Sequence, residues 1–243
     1  MEPVRFEPLN PRVVLGIAAH PDDLDFGAGG TLAAFAAQGA AVHYLQLTDG
    51  CKGSSDPITN CKKVAKIRQQ EQLQACKIIG GKSVQFLNHI DGELQATMAL
   101  KEQIVKVIRE LKPDVVITTD PTMIYAATYG VIDHSDHRAA GQATLDAVYP
   151  LARDHLAFPK LLKQGYEPHK VKTILLTNFE HKNYYLDITN TLDTKLQAAA
   201  AHASQIDDLE SLQQAFTVMA EQDGRQAGCK FAEGFVRIDV RPQ

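Results

Sequence analysis

The chain has 243 residues, 44% of them hydrophobic and 22% charged, which fits a globular α/β protein able to bury a sizeable core. Its net charge of -4 leaves no basic surface of the kind that coats nucleic acid or an anionic membrane. The first seven residues lack the charged-then-apolar layout of a signal peptide, and no apolar run approaches the roughly 20 residues that cross a bilayer. A cytoplasmic protein with no nucleic-acid partner and no stable membrane insertion is expected. The four cysteines, Cys51, Cys61, Cys76 and Cys229, contain no CxxC pair and read as reduced thiols, although a Cys51–Cys61 disulfide is conceivable.

Residues 12–19 (RVVLGIAA) read as a first buried, parallel-type strand. A helix is expected over 27–38, stopped at Gly39, and a second strand over 41–47, closed by the turn Thr48-Asp49-Gly50. Residues 51–59 are a loop and 62–79 a long helix ended by Gly80-Gly81. A third strand (83–87), a helix (100–111, broken at Lys112-Pro113) and a fourth strand (115–119) follow. Strands alternating with helices imply right-handed crossovers and a parallel sheet. Residues 120–133 read as a loop, long enough to be a lid or binding wall, before a helix over 134–148. Beyond Pro150 the order changes to strands at 172–177, 184–188 and 235–240 and helices at 192–202 and 209–221. With no repeat and no linker, the chain reads as one domain over 1–243: a core over 1–148, completed by 149–243.

The chemistry centres on Ala19-His20-Pro21-Asp22-Asp23, directly after the first strand. Two adjacent carboxylates at a buried strand end are costly without a counter-charge. Open α/β sheets place ligands at that end, and the natural counter-charge is a divalent metal ion. His20 and Asp23, three apart across a turn into a helix, can converge on one ion, while Asp22 faces another side and can act on water. A catalytic zinc wants three protein ligands, so one is missing. His134-Ser135-Asp136-His137 supplies it after the fourth strand: its histidines share a helix face, and Asp136 can orient a neighbouring imidazole. Singly, each motif also reads as a polar turn or a solvated helix start. Together, at strand ends of one sheet, they are hard to obtain by chance.

Other features carry less. Gly27-x-Gly29-Gly30 has the wrong spacing for a dinucleotide fingerprint, and the carboxylates beside it would repel a pyrophosphate; close helix–sheet packing is the better reading. His43 reads as structural, and Arg68 with Glu71 as either a functional pair or a helix-face ion pair. Tyr125 and Tyr129 could stack on a sugar ring.

The A-H-P-D-D turn followed by H-x-D-H resembles the LmbE-like, PIG-L family of zinc-dependent de-N-acetylases. Arg68-x-x-Glu71, Asp91, Lys195, His202-Ala203-Ser204-Gln205 and Ala232-Glu233-Gly234-Phe235 extend the resemblance from about Val13 to Phe235. It implies a Rossmann-like three-layer α/β sandwich with a mostly parallel central sheet. It also implies zinc on His20, Asp23 and His137, with iron(II) or cobalt able to replace it. By the same resemblance Asp22 is the general base. His134 stabilises the oxyanion or protonates the leaving amine, oriented by Asp136, and Arg68 and Asp91 contact the sugar. Ser135 stands where the family usually has proline, and serine can still cap a helix. The implied reaction is removal of acetyl from a small N-acetylated amine, an N-acetylglucosamine derivative first of all, by a homo-oligomer (trimer or hexamer). Three alternatives stay open. A sugar–amide amidase is closely related. A dinucleotide-dependent oxidoreductase would co-purify with nicotinamide or flavin. A non-catalytic metal module would hold zinc but release no acetate.

Overall fold

The computed structural model describes residues 8–241; the first seven residues, read above for a targeting layout, lie outside them. A seven-stranded sheet runs in the order β3-β2-β1-β4-β7-β9-β8. Its parallel part is β1 (Val13–Ala18), β2 (Ala41–Thr48), β3 (Ser83–His89), β4 (Val115–Thr119) and β7 (Thr173–Thr177). β9 (Ala232–Asp239) joins antiparallel to β7, and β8 (Tyr184–Asp187) antiparallel to β9. The strands are hydrophobic on both faces because both faces are covered. Leu15, Ile17, Leu45 and Leu47 point into a core with α3 (Met98–Leu111) and α4 (Ser135–Asp146). Val14, Ala18, Val42 and Tyr44 point into the other, with α1 (Asp23–Ala37), α2 (Cys61–Ile79) and α6 (Leu192–Ala200). This is the three-layer α/β sandwich the resemblance implies. Connections leave β1 toward β2 and return at β4 on its other side, so a crevice opens between the carboxyl ends of β1 and β4.

Four local readings change. Helix α1 starts at Asp23 rather than at residue 27. Asp22 turns the chain with φ 117°, and its carbonyl accepts the amide of Phe26 at 2.9 Å, so the helix begins at the strand's end. Asp23 and Asp25 thereby sit in the first turn, where the helix dipole favours carboxylates. Residues 120–133 are not loop throughout: β5 (Tyr125–Ala126) and β6 (Val131–Ile132) form an antiparallel hairpin. Its base is pinned by Asp120, which accepts from the amide and hydroxyl of Thr122 and from the side-chain amide of Asn178. Local polar bonds of that kind leave no hydrophobic periodicity to read. A short helix, α5 (Pro159–Lys163), was not expected, and α7 (Leu209–Ala227) runs past residue 221 to a stop at Gly228, φ 73°. Finally, Cys51 and Cys61 are joined in a disulfide, their Cα atoms 4.6 Å apart, against the expectation of four reduced thiols. They bracket a polar loop whose two ends are brought together by the exit of β2 and the start of α2. Cys76 and Cys229 are free, and burial together with Asp25 pushes the Cys76 thiol up to about 11.

The glycines of α1 do permit close packing: a Cβ on Gly30 would meet Ile188, and one on Gly27 would meet Thr177. The tightest approach that matters for the site is elsewhere. A Cβ on Gly141 of α4 would collide with the backbone carbonyl of Thr119 and with Pro121. That contact seats α4, and with it the His134–His137 segment, on the end of β4. Gly141→Ala is therefore expected to destabilise the fold by roughly 1–3 kcal/mol, as overpacking does, although alanine is the better helix former. The shift of the urea midpoint measures it, and an unchanged midpoint would refute the close approach.

Candidate active site

His20 lies in the turn just after β1, with its ring buried. Its Nε2 lies 3.3 Å from Asp91 Oδ1 and 3.4 Å from Asp136 Oδ2. Its Nδ1 faces His137 Nε2 at 3.2 Å and Asp23 Oδ2 at 3.6 Å. Asp23 Oδ1 is 3.1 Å from the same His137 nitrogen, and Asp23 Oδ2 accepts the amide of His20 at 2.8 Å. Behind His137, Nδ1 is 2.8 Å from Asp133 Oδ1. One ligand-type atom from each of His20, Asp23 and His137 lies within 4.8 Å of the other two.

These residues fit a metal ion. Burial opposes charge on His20, but Asp23, Asp136 and Asp91 outweigh it and push the imidazole up to about 12. Burial likewise opposes charge on His137, yet Asp23 and Asp133 raise it to about 10. Two imidazole nitrogens 3.2 Å apart thus sit in a field that demands positive charge. They cannot both direct an N–H along the line between them. A divalent cation supplies that charge to two lone pairs and a carboxylate. Carboxylates behind both rings are the usual outer support for such ligands. His20, His134 and Asp136 form a second group of ligand atoms. It fits less well, because the Asp136 oxygens already accept the amides of Gly92 (2.7 Å) and Leu94 (3.2 Å).

Asp22 stands beside this group. Burial and the neighbouring Asp23 push its carboxyl up to about 7, opposed by Arg68, His202 and His20. Arg68, itself buried, donates from Nη2 to Asp22 Oδ2 (2.9 Å) and to the carbonyl of Pro21 (2.7 Å), and from Nη1 to the carbonyl of Gly50 (2.8 Å). Its terminal nitrogens are spent on the protein, and Glu71 bonds Ser204 rather than Arg68. Asp91 opposes burial by accepting from His20 and from the amide of Lys52, which lower it to about 2.

His134 caps α4: its Nδ1 accepts the amide of Asp136 at 3.1 Å. The ring proton of the neutral form therefore sits on Nε2. Burial and the positive charge of His20 lower its pKa, so at neutral pH it is a neutral N–H donor. The imidazole beside the Asp136 carboxylate is that of His20; Asp136 holds His134 through its backbone amide.

A cavity of about 360 Å³ opens from Asp23, His134 and His137 toward Phe26, Phe216 and Met219. Val131 and Ile132 of the hairpin line it; Tyr125 and Tyr129, both exposed, do not, and the Tyr129 ring lies 5.9 Å from that of Phe179. Two participants were missed by sequence reading. Asp133 had a signal, its i,i+4 spacing to His137. Gln72 had none: it reads as an ordinary polar helix position, and only the packing of α2 against the turn at Asp22 brings it in.

A doubly wound sheet presenting such a group at its switch point defines, in class, an α/β protein with a candidate metal centre. The chain belongs to the PIG-L family: the family model described as GlcNAc-PI de-N-acetylase matches residues 15–148. A diacetylchitobiose deacetylase of Thermococcus kodakarensis is 32% identical over 231 residues, covering 94% of this chain and 84% of the relative. The structure of N,N'-diacetylchitobiose deacetylase from Pyrococcus horikoshii, complexed with its inhibitor, superposes with TM-score 0.86 at 30% identity, covering 95% of this chain and 85% of that one. A 4-oxalmesaconate hydratase of Pseudomonas putida is 27% identical over 218 residues, covering 88% of this chain and 80% of its own.

Proposed function

We propose that the protein is a zinc-dependent N-deacetylase that releases acetate from a small N-acetylated sugar, an N-acetylglucosamine derivative being the favoured substrate. The observation that carries this is the convergence of His20, Asp23 and His137 on one point, with the Asp22 carboxylate held beside them by Arg68. In this reading those three residues hold the ion. A bound divalent ion lowers the pKa of its water toward ~7 and polarises a carbonyl. Asp22 then takes a proton from the attacking water, with Arg68 keeping the carboxylate in place. His134 Nε2–H donates to the developing oxyanion; one such donor is typically worth ~3–4 kcal/mol. Asp22 returns its proton to the departing nitrogen, since His134 is neutral and its own N–H is engaged. The products are acetate and a free amine.

Sugar hydroxyls are assigned to the side of Asp91, and apolar contact with the sugar to Val131 and Ile132, which line the cavity, in place of the expected Arg68 contact and tyrosine stacking. We read residues 1–243 as one domain and the assembly as a homo-oligomer. No helix among the described residues is long and apolar enough to cross a membrane. The cytoplasm is our proposed setting; the Cys51–Cys61 bond opposes it, because reducing compartments keep thiols free. Thiol titration of protein purified under nitrogen decides: four free thiols support the cytoplasm, two oppose it.

The test of function is acetate release from N-acetylglucosamine, diacetylchitobiose and other N-acetylated sugars by metal-stripped and zinc-restored protein. Release restored by zinc is expected. No release from any of them, or equal release without metal, sinks the reading. Hydration of an unsaturated dicarboxylate instead would align the chain with its hydratase relative.

A further inference from the structure

We propose that Gln72 is the positioning residue of the proposed general base, its side-chain carbonyl holding the Asp22 backbone in the turn that keeps the carboxylate on Arg68 beside the candidate metal centre. Asp22 has φ 117° and ψ -36°, a conformation that side chains other than glycine rarely adopt and that persists only when the surroundings impose it. Its buried amide donates to Gln72 Oε1 at 3.1 Å. The orientation of the Gln72 amide follows from its partners. Oε1 also accepts from Gln46 Nε2 at 2.7 Å, while Nε2 donates to Asp25 Oδ2 at 2.8 Å. Asp22 N–H can only donate and Asp25 carboxylate only accept, so the flipped amide would fail on both sides.

The anchor is in turn held. Asp25 accepts from Tyr44 Oη at 3.0 Å and from His202 Nε2 at 2.9 Å. Gln72, Gln46, Asp25 and His202 are all fully buried, and Tyr44 nearly so. Four elements, β2, α1, α2 and the segment after α6, thereby converge on one backbone amide. A buried network of this kind favours one arrangement, and losing a member leaves costly unpaired groups. His202, part of the motif that extends the family resemblance, serves this network.

The proposal rests on the reading of Asp22 as base, and its test separates the two. Gln72→Met keeps the volume but not the acceptor. Gln72→Glu, protonated by burial beside Asp25, keeps both an acceptor for Asp22 and a donor for Asp25. Each variant, zinc-loaded, is assayed for kcat and KM on the best N-acetylated sugar, for metal content, and by crystallography for the backbone at residue 22. Gln72→Met is expected to lower kcat 10- to 100-fold, with KM within about threefold, full metal content and residue 22 relaxed to negative φ; Gln72→Glu should restore kcat to within about fivefold of wild type. A Gln72→Met protein with wild-type kcat, or one whose kcat falls while residue 22 keeps its positive φ, overturns the proposal. So does a Gln72→Glu variant no better than Gln72→Met. If the wild-type protein releases no acetate, the functional reading fails, and the crystallographic comparison alone still decides whether Gln72 sets the turn.

Discussion

Asp22→Asn is expected to keep the wild-type metal content and lose 10²- to 10⁴-fold in kcat, the usual range for removing a general base. The substitution keeps shape: asparagine can still accept from Arg68, and the amide bond to Gln72 is untouched. What disappears is the capacity to take a proton. Burial and Asp23 raise the Asp22 carboxyl to about 7, well above an ordinary aspartate. The wild-type rate should therefore fall on the acid side as Asp22 takes up a proton, because the acid form cannot act as base, and the residual rate of Asp22→Asn should lack this limb. Metal analysis and pH–rate profiles of both proteins check it. Equal turnover would remove Asp22 from the base role.

His137→Ala is expected to lose metal and activity together, because the ion would keep only His20 and Asp23. The charge balance makes a second expectation about the same site. Without metal, His20 and His137 are raised to about 12 and about 10, mainly because Asp23, Asp136, Asp91 and Asp133 outweigh burial. The facing His20 Nδ1 and His137 Nε2 then share a proton at pH 7 that an incoming cation must displace. Zinc uptake by metal-free protein should release that proton. Calorimetry in buffers of different ionisation enthalpy measures this, and uptake without proton release would contradict the assignment. The sign for stability follows: these folded-state values lie above the ordinary histidine value near 6.5. Their contribution to the metal-free fold is fully present below that pH and is lost as pH rises through about 10 and then about 12. Metal-free protein should thus lose thermal stability on the alkaline side first through His137.

Much of this was legible in one dimension. Runs such as Val13–Ala18 and Val115–Thr119 are mostly apolar without alternation, as doubly covered parallel strands are, so these strands and, with the helices between them, the α/β class were readable. The His20–Asp23 and His134–His137 spacings were equally plain, because each motif lies within one turn of chain. Three things came only with the tertiary structure. The two motifs meet because β1 and β4 are neighbours, across 117 residues of sequence. The hairpin over 125–132 is set by side-chain-to-backbone bonds at Asp120 rather than by periodicity, and it brings Val131 and Ile132, rather than the tyrosines, to the lining of the cavity. Asp91, Asp136 and Gln72 acquire their partners from packing between elements: two carboxylates settle behind His20, and one amide settles under Asp22. Local spacing reports which atoms can share a turn. Proton affinity, backbone strain and the charge a site demands are summed over groups that only folding brings within a few ångströms, and no stretch of sequence contains that sum.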